Sequence, residues 1–265
     1  MQIKKLNLRK LNNTRDLGDL PSANGVKIRR GKLLRSGKIY KLPKSTLSAF
    51  EKIGVDTVVD MRTEKERQEY PSSIINGATY YHLPLMCTAT SGITHEKSIA
   101  RTMMEESKKL KNEFATAPEY MMKMYEIILF SEEPQKNLKK FFELVLSEEK
   151  CILWHCSAGK DRTGIAAMLL EWVLGVDEDI IVQDYVASDR FQRRLRLPQR
   201  LGLVIAPLPR RFKLFLYAQM KAKPEYINGA MQAIKERYGT VENYFVNALG
   251  ITEEQIAVLK DKYLE

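Results

Sequence analysis

Residues 151–175 read CILWHCSAGKDRTGIAAMLLEWVLG. An apolar run gives way to a loop holding Cys156, Gly159, Lys160, Asp161, Arg162 and Gly164, and a second apolar run follows as far as Gly175. A short apolar segment that stops at a loop and resumes at helical spacing is a strand–loop–helix unit. The expected strand is Cys151–His155 and the expected helix Arg162–Leu174, stopped by Gly175. An ordinary connection at that junction asks for turn-forming residues, not a cysteine and three charges within seven positions.

Working outward, the same alternation recurs. Ser45–Ile53 reads as a helix entered through Pro43 and closed by Gly54. Asp56–Asp60 and Thr79–Leu83 read as strands, and Pro118–Phe130, Gln135–Leu146 and Glu178–Ala187 have helical periodicity. Val26–Ile28 and Lys32–Arg35 flank Arg29-Arg30-Gly31 as in a hairpin. Residues 88–116 lack a tight period and suit a helical lid. Beyond Pro224 the chain reads as helical, with Thr252-Glu253-Glu254-Gln255 forming a capping box. Strands alternating with helices predict an α/β fold, a mostly parallel sheet flanked by helices with a helical C-terminal part. No linker or repeat divides the chain, so residues 1–265 are expected to form a single domain. Ligands of such sheets sit beyond the carboxyl ends of the strands, where Asp60 and Cys156 both fall.

The bulk numbers narrow the chemistry. With 44% hydrophobic and 29% charged residues the chain can bury a sizeable core. The net charge of +10 favours acidic partners, whether phosphorylated substrates, anionic lipid or nucleic acid, although surface solubility alone accounts for it equally well. Eight Arg or Lys and no acid lie between Arg190 and Lys213, as at a substrate rim or on a solvated face. The only aromatics there are Phe191 and Phe212, too few for base stacking, which argues against nucleic acid. Cys87, Cys151 and Cys156 do not form a disulfide framework. No apolar run reaches the roughly 18 residues of a membrane span, and the N-terminus has no apolar leader core. The default location is the cytoplasm, and a leader removed before residue 1 would leave the same sequence.

Residues His155 to Gly164 do not make a nucleotide-binding loop. With Gly159-Lys160 as its GK pair, Trp154 stands where that motif needs glycine and Asp161 where it needs Ser or Thr. Cys-x5-Arg suits another anion. A tight loop of Ser157, Ala158, Gly159, Lys160 and Asp161 at a helix N-terminus turns its amides inward around three phosphoryl oxygens, and Arg162 adds a bidentate fork. The same field favours the thiolate of Cys156, the nucleophilic form. It would attack phosphorus to give a phosphocysteine that water hydrolyses, with the Thr163 hydroxyl donating to the returning thiolate. Neither metal nor cofactor is required, since amides and guanidinium supply the charge stabilisation.

HCSAGKDRTG resembles the HCxxGxxR[ST] loop of cysteine-dependent tyrosine phosphatases. More narrowly, it is similar to that of the bacterial tyrosine/serine phosphatases, a group that includes secreted mycobacterial and listerial enzymes. The likeness extends to Asn13-Thr14-Arg15-Asp16-Leu17-Gly18, to Leu34-Arg35-Ser36, and to Val58-Val59-Asp60-Met61-Arg62 with Glu66. It continues through Asp184-Tyr185 with Ser188, and Tyr238-Gly239 with Tyr244. Asp19 and Asp189 depart from the pattern where it has Gly and Asn. The resemblance implies phosphotyrosine as substrate, with phosphoserine, phosphothreonine or phosphoinositides in some members. Lys160 favours a phosphoinositide by adding charge to the loop, and Ser157, where lipid-directed loops carry a second lysine, argues against it. A non-catalytic module that binds phosphorylated ligands is the alternative outside enzymes. Contact with anionic lipid would follow from the basic charge.

A general acid must protonate the leaving oxygen. Neither tryptophan is followed by Pro-Asp, so the acid loop of many tyrosine phosphatases is absent. Asp161, Asp60, Asp184 and Asp189 are the candidates, and the resemblance favours Asp161. Asp60 has an alternative as a brace for Arg62, and Asp184 as a helix-face hydrogen-bonding group. His155 precedes the cysteine on the strand and must point away from it, so its expected part is hydrogen bonding that orders the loop. Arg15, Asp16 and Arg35 would line the pocket rim or pair with one another. His82 and His95 read as structural.

Overall fold

A computed structural model describes residues 3–86, 116–191 and 220–265, together with residues 210, 213 and 217. The expected lid falls on residues 88–116, all of which but Thr116 lie outside the described residues, and most of the basic segment lies outside them as well.

Among the described residues five strands form one sheet. In chain order these and the first helices are β1 (Arg15–Asp16), β2 (Leu33–Ser36), α1 (Lys44–Ile53), β3 (Val55–Asp60), α2 (Glu64–Glu69) and β4 (Thr79–His82). Then come α3 (Ala117–Phe130), α4 (Glu132–Ser147), β5 (Cys151–His155), α5 (Asp161–Val173) and α6 (Glu178–Phe191). The C-terminal part is helical, with α7 (Pro224–Tyr238), α8 (Val241–Tyr244), a π turn at Phe245–Leu249 and α9 (Glu253–Tyr263). Thr252 and Gln255 form the reciprocal cap that starts α9.

The strand order is β1-β2-β5-β3-β4, and every pairing except β1 with β2 is parallel. Strand β5 is central and buried throughout, and period-2 alternation divides it between two cores. Cys151 and Leu153 face α1 through Phe50. Ile152 and Trp154 face the larger helical layer with Phe141, Phe142 and Ile165. Helix α5 is buried on almost every side, as its apolar sequence requires. Register places Ser36 and Asp60 on either side of His155, with His82 beside Asp60, so four parallel strands end on one rim.

The hairpin expected between Val26–Ile28 and Lys32–Arg35 does not form. Leu33–Ser36 pairs antiparallel with Arg15–Asp16 instead, matching Arg15 with Arg35 and Asp16 with Leu34. The backbone of Ile28 is already engaged, accepting from the Asp19 N–H and donating to the Leu20 carbonyl. The Gly31 amide is held by Asp16 at 2.7 Å, so the turn closes onto residue 16 rather than onto a second strand.

Candidate active site

The loop after β5 is tied down from behind. The Asn13 side-chain amide donates to the Gly159 carbonyl at 2.6 Å and to the Ala158 carbonyl at 3.3 Å. Arg35 also donates to the Gly159 carbonyl, at 3.2 Å, and the Lys38 N–H donates to the Ser157 carbonyl at 3.2 Å. With three successive carbonyls fixed on the outer side, the amides turn toward the hollow. The Gly159 N–H donates to Cys156 Sγ at 3.3 Å. Gly159 has φ +69°, and a Cβ there would come within 2.5–2.6 Å of the Ser36 and Gly37 backbone, so conformation and space both require glycine. Cys156 itself is buried.

Arg162 is aimed by a residue the sequence reading did not assign to the site. Glu66 on α2 accepts from Arg162 Nη1 at 2.6 Å and Nη2 at 2.9 Å, and the Ser157 hydroxyl donates to the same carboxylate. Burial would raise the Glu66 carboxyl, but the Arg162 guanidinium and the Ser157 hydroxyl outweigh it and hold the group at about 2. The Glu66 carboxylate in turn raises the Arg162 pKa despite burial. Thr63-x-x-Glu66 is a capping box after a strand end, which was the available signal. The cap alone does not reveal that the same carboxylate reaches Arg162.

The candidates for the acid separate clearly. Asp60 accepts from Arg62 Nε at 2.8 Å and Nη2 at 2.6 Å and from the Arg62 N–H at 3.0 Å. Burial pushes this carboxyl up, but His155 and Arg62 hold it at about 2. Asp60 is thus engaged as a brace for Arg62 and held ionised near neutral pH, which weighs against it as the acid. Asp184 is buried and bound by Arg15 Nε at 2.6 Å and by Arg35 Nη1. Against burial, those two cations hold its pKa down. Asp189 accepts from the Ala222 N–H at 2.7 Å. Asp161 remains, in the first turn of α5, with its side chain 30% exposed.

Other expectations need revising. Arg15 and Arg35 do not line the rim and do not pair with Asp16. Both are buried beneath the loop on Asp184, while Asp16 holds the Gly18 and Gly31 amides. Removing Asp184 would strand two buried guanidinium groups, a change that costs on the order of 3–5 kcal/mol. Lys160 is 1% exposed, its ammonium donating to the Lys221 carbonyl at 2.8 Å and lying 3.3 Å from Asp161. The Thr163 hydroxyl is buried with no hydrogen-bond partner among the described residues. Cys151 and Cys156 are free thiols, and Cys87 lies outside the described residues. His82 donates from Nε2 to the Arg62 carbonyl, 2.8 Å away, and His95 lies outside the described residues.

The His155 ring is fully buried beside the Cys156 backbone, its nitrogens make no well-formed hydrogen bond among the described residues, and Nε2 lies 3.8 Å from Asp60. The strand end is fixed through the backbone, where the Met61 N–H donates to the His155 carbonyl at 2.8 Å. Burial holds the imidazole down to about 4 from an ordinary 6.5. Between those values the unfolded chain binds the extra proton, so stability falls as pH falls from 6.5 to 4, by on the order of 3 kcal/mol. Glu66 and Asp60 add a further loss below about pH 4.5, the unfolded range of carboxylates. Melting temperature is thus expected to drop steadily from pH 7 to pH 4, and His155→Gln should flatten the portion above pH 5. A flat profile between pH 7 and 5 in the parent protein would contradict this account.

Comparison with known proteins agrees with this geometry. The sequence profile of the tyrosine phosphatase family matches residues 6–265. A Cupriavidus necator protein, named provisionally as a tyrosine-protein phosphatase, is 28% identical over 96% of this chain and 86% of its own. The triple specificity protein phosphatase PtpB of Mycobacterium tuberculosis is 28% identical over 92% of this chain and 93% of its own. A Nostoc commune tyrosine-protein phosphatase is 27% identical over 64% of this chain and 53% of its own. No helix among the described residues is long and apolar enough to cross a membrane. A cysteine that receives a loop amide, an arginine fork held by a carboxylate and a family profile spanning nearly every residue lead to one conclusion: this chain belongs to the tyrosine phosphatase family, the cysteine-dependent hydrolases of phosphomonoesters.

Proposed function

We propose that this chain removes phosphate from tyrosine-phosphorylated protein through a phosphocysteine on Cys156, with Asp161 as general acid. The convergence of Cys156 Sγ, the Gly159 amide and the Glu66-held fork of Arg162 supports this reading. As the Sγ–P bond forms, the P–O bond to the leaving oxygen breaks and Asp161 supplies that oxygen with a proton. Water then attacks phosphorus, Asp161 takes a proton back, and the S–P bond breaks to restore the thiolate. Arg162 and the loop amides hold the three equatorial oxygens in both steps, and Thr163 would donate to the returning thiolate. Residues 1–265 would act as one phosphatase domain.

The names of the relatives support phosphotyrosine as the first substrate, and the triple specificity in the name of the mycobacterial relative supports a broader range. The phosphoinositide alternative drew on a free charge at Lys160, and the burial of that ammonium against the Lys221 carbonyl weakens it. A panel of phosphotyrosyl peptides, phosphoseryl peptides and phosphoinositides tests the proposal. The expected order of kcat/KM places phosphotyrosyl peptides first. Higher values on phosphoinositides would transfer the function to lipid, and binding of all three without phosphate release would make the chain a recognition module.

A further inference from the structure

Two donors converge on a single oxygen of Asp161. The Tyr125 hydroxyl donates to Oδ1 at 2.6 Å, and the Lys160 ammonium lies 3.3 Å from the same atom. Among the described residues no hydrogen bond reaches Oδ2. Tyr125 comes from α3 and is 1% exposed, and its hydroxyl is also hydrogen-bonded to that of Tyr185 on α6, which is buried to the same degree. A phenol has one proton. Tyr125 commits its own to Asp161, so Tyr185 is the donor within the tyrosine pair, and the chain of donation runs from Tyr185 through Tyr125 to Asp161. Edge-on contacts fix the Tyr125 ring, with Tyr185 at 6.3 Å and Tyr226 at 6.4 Å between centroids. Burial and the neighbouring Asp161 raise the Tyr125 phenol well above its ordinary value, so it remains a donor across the working range.

We propose that Tyr125, held by Tyr185, is a positioning residue for proton transfer, occupying Oδ1 of Asp161 so that the acid proton is carried on Oδ2 toward the leaving group. The inference rests on the reading of Asp161 as general acid. A carboxylic acid with one oxygen already accepting a strong hydrogen bond carries its proton on the other. When that proton passes to the leaving oxygen and the P–O bond breaks, the carboxylate left behind keeps the Tyr125 hydrogen bond and the nearby ammonium. The same carboxylate is then correctly held to take a proton from the attacking water.

The test compares Tyr125→Phe, Asp161→Asn and the double variant on a series of aryl phosphates extending to phosphoserine-like alkyl esters. Tyr125→Phe should lower kcat about ten-fold more on alkyl esters than on p-nitrophenyl phosphate, with KM little moved, the scale of one hydrogen bond to a charged group. In the Asp161→Asn background the same substitution should have no further leaving-group dependence. If Tyr125→Phe does not fold, Tyr185→Phe keeps the Tyr125 contact, removes the donor behind it and should give a weaker effect of the same kind. An equal loss on every substrate, or an undiminished leaving-group effect in the double variant, would show that Tyr125 acts through packing and would overturn the proposal. If Asp161→Asn itself keeps the wild-type dependence on leaving group, the assignment of the acid fails and this inference falls with it. A sensitive Asp161→Asn beside an insensitive Tyr125→Phe would remove the positioning role alone.

Discussion

Replacing Cys156 with serine is expected to abolish turnover while leaving phosphate binding in place. Loss of a covalent nucleophile lowers kcat by a factor on the order of 10⁵–10⁶. The amides that surround the anion and the Arg162 fork do not depend on sulfur, because their alignment comes from Asn13, Arg35, Lys38 and Glu66. A serine hydroxyl at this position would not ionise, so the bound phosphoester would stay intact. Arg162→Lys should also lose most activity, for a different reason. Glu66 grips both terminal nitrogens of the guanidinium, and an ammonium offers one nitrogen with no plane to align. Measurable turnover by Cys156→Ser on p-nitrophenyl phosphate, with phosphate affinity retained, would end the phosphocysteine mechanism.

Asp161→Asn should cost roughly 10²–10⁴-fold on phosphoserine-like alkyl esters, the usual worth of general acid catalysis, and much less on aryl esters of acidic phenols. A good leaving group departs as the anion, whereas an alkoxide must be protonated as it leaves. Asp60→Asn provides the contrast. Asp60 holds Arg62 by both oxygens, and the Arg62 Nη1 reaches on to the Tyr70 carbonyl at 2.8 Å. Breaking that buried pair should cost on the order of 3–5 kcal/mol in stability and no selectivity between leaving groups. The decisive measurement is the slope of log kcat/KM against leaving-group pKa for the parent and both variants. A slope altered in Asp60→Asn and unaltered in Asp161→Asn would exchange the two roles.

The parts of the fold that were legible in the sequence are those written locally. Strand β5, its loop and α5 announce themselves because apolar periodicity changes across one short stretch, and Cys156 and Arg162 because a Cys-x5-Arg run holding Gly159 sits at the junction of that strand and that helix. What escaped depends on distant partners. Strand β1 has two residues, too few to show any alternation, and it took the place of the hairpin partner because residues 15–16 reach Leu34 and Arg35 from across the turn. Arg15 and Arg35 look like rim cations until Asp184, far along the chain, appears beneath them. Tyr125 lies at a position of α3 where an apolar side chain would serve the core equally well, and only the location of its hydroxyl distinguishes it. Lys160 carries a charge that sequence alone assigns to the ligand, and the Lys221 carbonyl has claimed it.

The side-chain amide of Asn13 reaches Gly159 across 146 positions of chain. The loop after β5 therefore owes part of its shape to a contact that exists only once residues 13–16 have docked. A chain with β5 paired to β3 and those residues undocked would hold every residue of the loop and lack that restraint. Contacts of such long sequence separation close slowly compared with a helix. In such a chain the Cys156 thiol would sit in less oriented surroundings than in the folded protein.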